Sequence, residues 1–170
     1  MSTWPWVERT FTFDFPVAKH PEILERYRGT PVRLEERVRG LSRDVLTRHD
    51  SRGKWNILEN IGHLLDLEPL WERRLDDYLA GAERLSAADM TNAATHAAGH
   101  GDRDAADLLA AFRRARLGVV ARLERLGDAD WARVSIHPRL NQPMRLVDAI
   151  AFTCDHDDYH LARMARLMRG

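Results

Sequence analysis

Apolar positions recur at helical spacing in four stretches of the chain, and each predicts an amphipathic helix. The first runs from Pro21 to about Arg48 and places Ile23, Leu24, Tyr27, Leu34, Val38, Leu41, Val45 and Leu46 on the repeat. Pro31, with Gly29 before it, predicts a kink or a split. Turn chemistry at Asp50-Ser51-Arg52-Gly53 ends the segment. The second covers about Asn56 to Ala80, with Ile57, Leu58, Ile61, Leu64, Leu65, Leu67, Leu70, Trp71, Leu75 and Leu79, and Gly81 as its stop. The third runs from Asp104 to Leu126, and the fourth from near Leu146 to Leu167. Between them lie a long Ala-, Thr-, Asn- and His-containing connection, residues 82–101, and a connection through Trp131, His137-Pro138 and Asn141-Gln142-Pro143.

Residues 6–17 follow another rule. Phe11, Phe13 and Phe15 alternate with Thr12 and Asp14, a period of two that suits an extended segment. No pairing strand is visible, so the reading is an arm packed on a bundle. The expected architecture is all-α: a four-helix bundle over residues 21–170 behind an extended N-terminal arm, residues 1–20.

Composition narrows the class. Lys plus Arg and Asp plus Glu each number 26 in 170 residues, so the formal net charge is zero. A domain built on phosphate contacts shows a basic excess, and no nucleic-acid partner is expected. No apolar run approaches the ~20 residues of a spanning helix, so no membrane partner is expected either. Residues 1–15 lack the continuous apolar stretch of a signal peptide, and the single cysteine, Cys154, excludes an intrachain disulfide. A cytoplasmic location is the expectation.

The chemistry concentrates in histidines. His156 and His160 stand four apart, a turn of ~400°, so both rings lie on one helix face. Phe152, Thr153, Met164 and Leu167 surround them at helical spacing, which directs that face inward, with Asp157 and Asp158 toward the other side. Two buried imidazoles each need a donor and an acceptor satisfied, and a shared divalent ion serves both. A hydrogen-bonded core pair is the competing reading. A third ligand must come from another helix, and His63 is the candidate. Gly62 beside it costs about 1 kcal/mol of helix propensity relative to Ala, which points to close packing there. Three imidazoles leave coordination positions open.

These motifs resemble the DinB/YfiT-like superfamily of four-helix metal-binding proteins. The likeness covers nearly the whole chain. It rests on Lys54-Trp55-Asn56-Ile57-Leu58-Glu59-Asn60-Ile61-Gly62-His63-Leu64 with Glu68, and on Met144-Arg145-Leu146-Val147-Asp148 leading into His156-Asp157-Asp158-Tyr159-His160-Leu161-Ala162-Arg163. The family's metal triad maps onto His63, His156 and His160. Many relatives carry His where this chain has Tyr159, a position outside the triad. The resemblance implies a divalent metal ion, a small-molecule substrate such as a low-molecular-weight thiol, and a homodimer; three imidazoles suit Zn, Ni, Fe or Cu, and the sequence does not fix which.

Other residues carry weaker signals. Glu59, one turn before His63, reads as a general base or ligand-orienting group, or more simply as a capping carboxylate. Asp155 and Asp157 read as surface charges that could accept a histidine N–H. Cys154 lies about 160° round the helix from His156 and reads as a packed small hydrophobe. His96 and His100 read as exposed residues whose segment, with Asn92, could line a substrate entrance. His137 reads as structural, and Trp4, Trp6, Trp55, Trp71 and Trp131 as core anchors.

Three functions fit these observations. One is a metalloenzyme of thiol-transfer or hydrolytic type. The second is a non-catalytic metal-binding stress-response or dimerisation module. The third is an interaction bundle whose histidines are merely buried. Metal content separates the third from the others, and a cavity opening onto the imidazoles separates the first from the second.

Overall fold

The computed structural model describes residues 4–50 and 53–169. Ser51 and Arg52 of the expected turn lie outside the described residues, as do residues 1–3 of the arm. The described ends of that turn are closed by Gly53 N donating to Asp50 O at 3.0 Å.

The first apolar segment forms three helices, α1 (His20–Arg28), α2 (Thr30–Val38) and α3 (Arg43–Thr47). Pro31 stands in the first turn of α2, where its missing N–H has no helical partner to lose. A second break, after Val38 with Gly40 at φ 73°, was not expected.

The long helices match the periodicity. Helix α4 (Ile57–Ala80) starts at an Asn56–Glu59 capping box and stops at Gly81, whose φ of 72° is cheap only for glycine. It continues through Pro69 on its exposed face. The connection after it holds a short helix, α5 (Ala93–Ala97). Helix α6 (Ala105–Leu123) starts where Asp104 accepts the N–H groups of Ala106 and Asp107. After a one-turn helix, α7 (Asp128–Trp131), comes α8 (Leu146–Leu167), where Asp148 accepts Arg145 N at 2.8 Å.

Before α8 the structure has a hairpin that replaces the expected connection. Strand β1 (Val134–His137) pairs antiparallel with β2 (Gln142–Arg145), Ile136 opposite Pro143. Ile136 directs its N–H to Glu83 O and its carbonyl to Leu85 N. Its ladder groups therefore point away from β2, and Pro143 is missing an N–H that nothing needs.

The arm carries no strand among its described residues. Trp6 and Phe11 pack edge-on against Phe152 at 4.9 Å between centroids, and Arg145 donates to the carbonyls of Phe13 and Phe15.

Helices α6 and α8 each pack against α4 and against the α1–α2 pair. The core falls into two apolar clusters. One gathers Ile23, Tyr27, Leu75, Tyr78, Val120, Trp131 and Ile150; the other gathers Leu34, Leu58, Ile61, Leu108, Phe112 and Leu161. Both α4 and α6 run from the second cluster to the first, so these neighbours are parallel. The connection between them must return along the bundle, which is why it is long, and on the way it crosses the histidines. Between the clusters each helical layer contributes one buried polar residue: Thr30, Glu68, Arg116 and Asp157. Arg116 Nη2 donates to Glu68 Oε1 at 2.7 Å and its Nη1 to Asp157 Oδ2 at 2.6 Å, while Thr30 Oγ1 donates to Asp157 Oδ2 at 2.8 Å.

Candidate metal centre

His63 projects from α4 toward His156 and His160 on α8. Ring centroids are 5.5 Å apart for His63–His156, 4.8 Å for His63–His160 and 4.6 Å for His156–His160. One ring nitrogen of each lies within 4.8 Å of the others, and all three residues are buried. Burial pushes His63 and His156 down to about 3 and His160 well below its ordinary value; neighbouring histidines and arginines add to the effect. The three rings are neutral at pH 7, the form that ligates.

Hydrogen bonds set two of the tautomers. Asn60 Nδ2 donates to the carbonyls of Trp55 and Asn56, at 3.0 and 2.7 Å, so its Oδ1 faces His160 Nδ1, at 2.8 Å, as an acceptor. His160 therefore carries its proton on Nδ1 and keeps a lone pair on Nε2. Thr95 Oγ1 donates to Asp66 Oδ2 at 2.8 Å, so it accepts from His63 Nδ1 at 3.2 Å, and His63 Nε2 is likewise left with a lone pair. His156 Nδ1 is buried without a hydrogen-bond partner. Two oriented imidazole lone pairs and an unsatisfied third ring are a donor set that fits a divalent ion.

The same Asp66 oxygen accepts His100 Nε2 at 2.9 Å. His100 is buried, against the expectation of an exposed loop residue, because its ring lies on Gly62: a β-carbon there would be 2.1 Å from His100 Cγ. The close packing expected at Gly62 is thus with His100. The sequence pattern singles out none of Thr95, Asp66 and Asn60. Asp66, one turn after His63 on the same helix, was the detectable signal.

A cavity of about 670 Å³ opens onto the triad, lined in part by Trp6, Trp55, Trp71, Phe152 and Tyr159. Asn92 and the exposed His96 lie on its wall, as their segment suggested. Three of the tryptophans therefore face a pocket where core anchors were expected. Trp4 is exposed, and Trp131 is buried in the core. His137 is buried, with Leu140 N donating to its Nδ1. Cys154 is buried in the core, where its thiol is pushed up to about 12 by burial.

Two carboxylates take other places than proposed. Glu59 Oε2 accepts Asn56 N at 2.8 Å and does not line the cavity, so the capping reading describes it and the general-base reading has no geometric support. Asp157, expected at the surface, is fully buried on Arg116. The side of α8 opposite the histidines is itself an interface, facing α1, α2 and α6. Asp155 is half-exposed, in an ion pair with Arg26.

The sequence model of the DinB superfamily matches residues 26–164. The chain belongs to the DinB superfamily. Its fold is similar to that of YfiT from Bacillus subtilis, a protein described as a probable metal-dependent hydrolase with an unusual four-helix bundle topology. The TM-score is 0.82 at 19% identity, over 95% of this chain and 93% of that one. Comparison with curated proteins finds no match. DinB membership and the YfiT likeness agree with the fold read from periodicity, and no helix is long and apolar enough to cross a membrane among the described residues.

Proposed function

We propose that this DinB protein is a metalloenzyme of hydrolytic or thiol-transfer type, with His63, His156 and His160 holding one Zn, Ni or Fe ion. The observation that carries this reading is three neutral, buried imidazoles converging at the floor of an open cavity. A sealed structural site would have no such access. YfiT's description as a probable metal-dependent hydrolase supports the hydrolytic branch.

A divalent ion at this site supplies Lewis acidity and depresses the pKa of a protic ligand, whether water or thiol. The chain's own residues do the rest. Asn60 and the Thr95–Asp66 pair hold two ligand rings in the ligating tautomer. Trp6, Trp55, Trp71 and Phe152 give the cavity apolar walls that exclude bulk water and strengthen polar interactions inside.

Elemental analysis of the purified protein is the first test, with about one ion per chain expected, lost in His63→Ala, His156→Ala and His160→Ala. Variants that retain metal would refute the triad. The as-purified protein should then accelerate p-nitrophenyl acetate hydrolysis, or the conjugation of monobromobimane in the presence of a thiol, and chelation should abolish the rate. A fully metallated protein inactive in both assays would leave binding as its role.

A further inference from the structure

The cavity is rich in donors and poor in acceptors. Lys54, Arg74, Arg139 and Arg163 line it, and none forms an ion pair among the described residues. Asp89 is the one lining carboxylate among the described residues, and it already accepts Thr91 N, Thr91 Oγ1 and Ala93 N.

Arg74 and Arg139 are the notable pair. Arg74 is buried; its Nε donates to Ser86 O at 2.9 Å and its guanidinium lies over Trp71. Arg139 lies over Trp6 and Phe152, and its Nη2 is buried without an acceptor. His137 joins them: its ring packs on Phe152 at 5.0 Å, and its Nε2 is 3.3 Å from Arg74 Nη1. A neutral imidazole has one lone pair. Leu140 N faces Nδ1 at 3.2 Å and Arg74 faces Nε2, so two donors compete for one acceptor and one N–H is left over. Burial lowers Arg74 to about 10, even though Tyr78 and Asp77 pull it upward, and burial lowers Arg139 as well. Buried donors without acceptors are costly, and a guanidinium pair suits an oxyanion in bidentate geometry.

We propose that Arg74 and Arg139 bind the oxyanion of a small substrate, a carboxylate or phosphate, whose apolar body rests among Trp6, Trp71 and Phe152. The proposal gives a substrate class to the cavity and rests on the reading of that cavity as the active site, but not on the identity of the ion. A metal-bound anion would need the triad; this one needs the arginines.

The test is a ligand-detected NMR titration of the full chain, as purified and after chelation, with phenylacetate, phenyl phosphate and the neutral isostere phenylacetamide. At least one anion should bind roughly tenfold or more tightly than the amide, before and after chelation, and whichever anion is preferred identifies the headgroup. Arg139→Gln and Arg74→Gln should each abolish the preference for the anion over the amide. If Arg74→Gln fails to fold, Arg139→Gln decides, since its side chain lies nearer the surface. Equal binding of acid and amide, no binding of any probe, or a preference that vanishes on chelation or survives Arg139→Gln would overturn the proposal. Metal content measured on the same samples separates its failure from failure of the metal site.

Discussion

The ring of His100 occupies the space that a side chain at position 62 would fill, with His100 Cγ only 2.1 Å from where a β-carbon of Gly62 would be. Behind that contact, His100 and Thr95 share one oxygen of Asp66, and Thr95 holds the imidazole of His63. A methyl group on α4 is thus connected to a candidate ligand through three side chains. Gly62→Ala gains about 1 kcal/mol of helix propensity, but displacing a buried ring costs about 1–3 kcal/mol. The expected outcome is a lower melting temperature and weaker metal retention. Added His100→Ala should reverse both effects, because it vacates the space. A double-mutant cycle read by thermal melts and metal analysis checks the coupling.

His137 makes the fold sensitive to acid from outside the histidine triad. Burial holds its folded-state pKa near 3, with Arg74 and Arg139 adding to the effect, against about 6.5 in an unfolded chain. Above pH 6.5 the ring is neutral in both states and has no effect on the slope. Below it, the unfolded chain takes up a proton that the folded chain does not, so stability falls with pH down to about 3. One such group contributes at most ~1.4 kcal/mol per pH unit in that window. His137→Gln should flatten the decline by up to that amount, as measured by urea denaturation from pH 8 to pH 4. An unchanged slope would mean that the ring titrates normally in the folded protein.

The helices were legible because their apolar stripes are long and their ends carry specific chemistry: Asn56 and Glu59 before α4, Gly81 after it, and Asp104 before α6. The pairing of His156 and His160 was legible because they share a helix face, whereas His63 came from the need for a ligand on another helix and from the family resemblance. What escaped depended on partners distant in sequence. The segment through Pro143 read as a connection, and only the contacts of Ile136 with residues 83 and 85 show why a strand tolerates that proline. His100 looked like a loop residue because the parallel course of α4 and α6, which lays its segment over the site, leaves no periodic trace. Asp157 was correctly placed away from the histidines, but α8 is buried on both of those sides, and one helix wheel cannot reveal a second neighbour.

That second interface carries the last prediction. Arg116 is fully buried between Glu68 and Asp157, stacked at 3.8 Å over Tyr27, and donates to Tyr27 O. Burial alone would lower it; Asp157 and Glu68 hold it well above its ordinary value, so it stays charged. Two carboxylates share this one cation, and no water-facing route relieves either if it is removed. Arg116→Met should therefore destabilise the bundle by about 3–5 kcal/mol, the cost of leaving buried charge unpaired. Replacing the three charges together, Arg116→Met with Glu68→Leu and Asp157→Leu, removes that charge and should recover much of the loss, leaving Thr30 short of one acceptor. Urea midpoints for the single and triple variants decide it. If the triple variant is no more stable than Arg116→Met, the layer acts through the geometry it imposes on four helices, beyond the pairing of its charges.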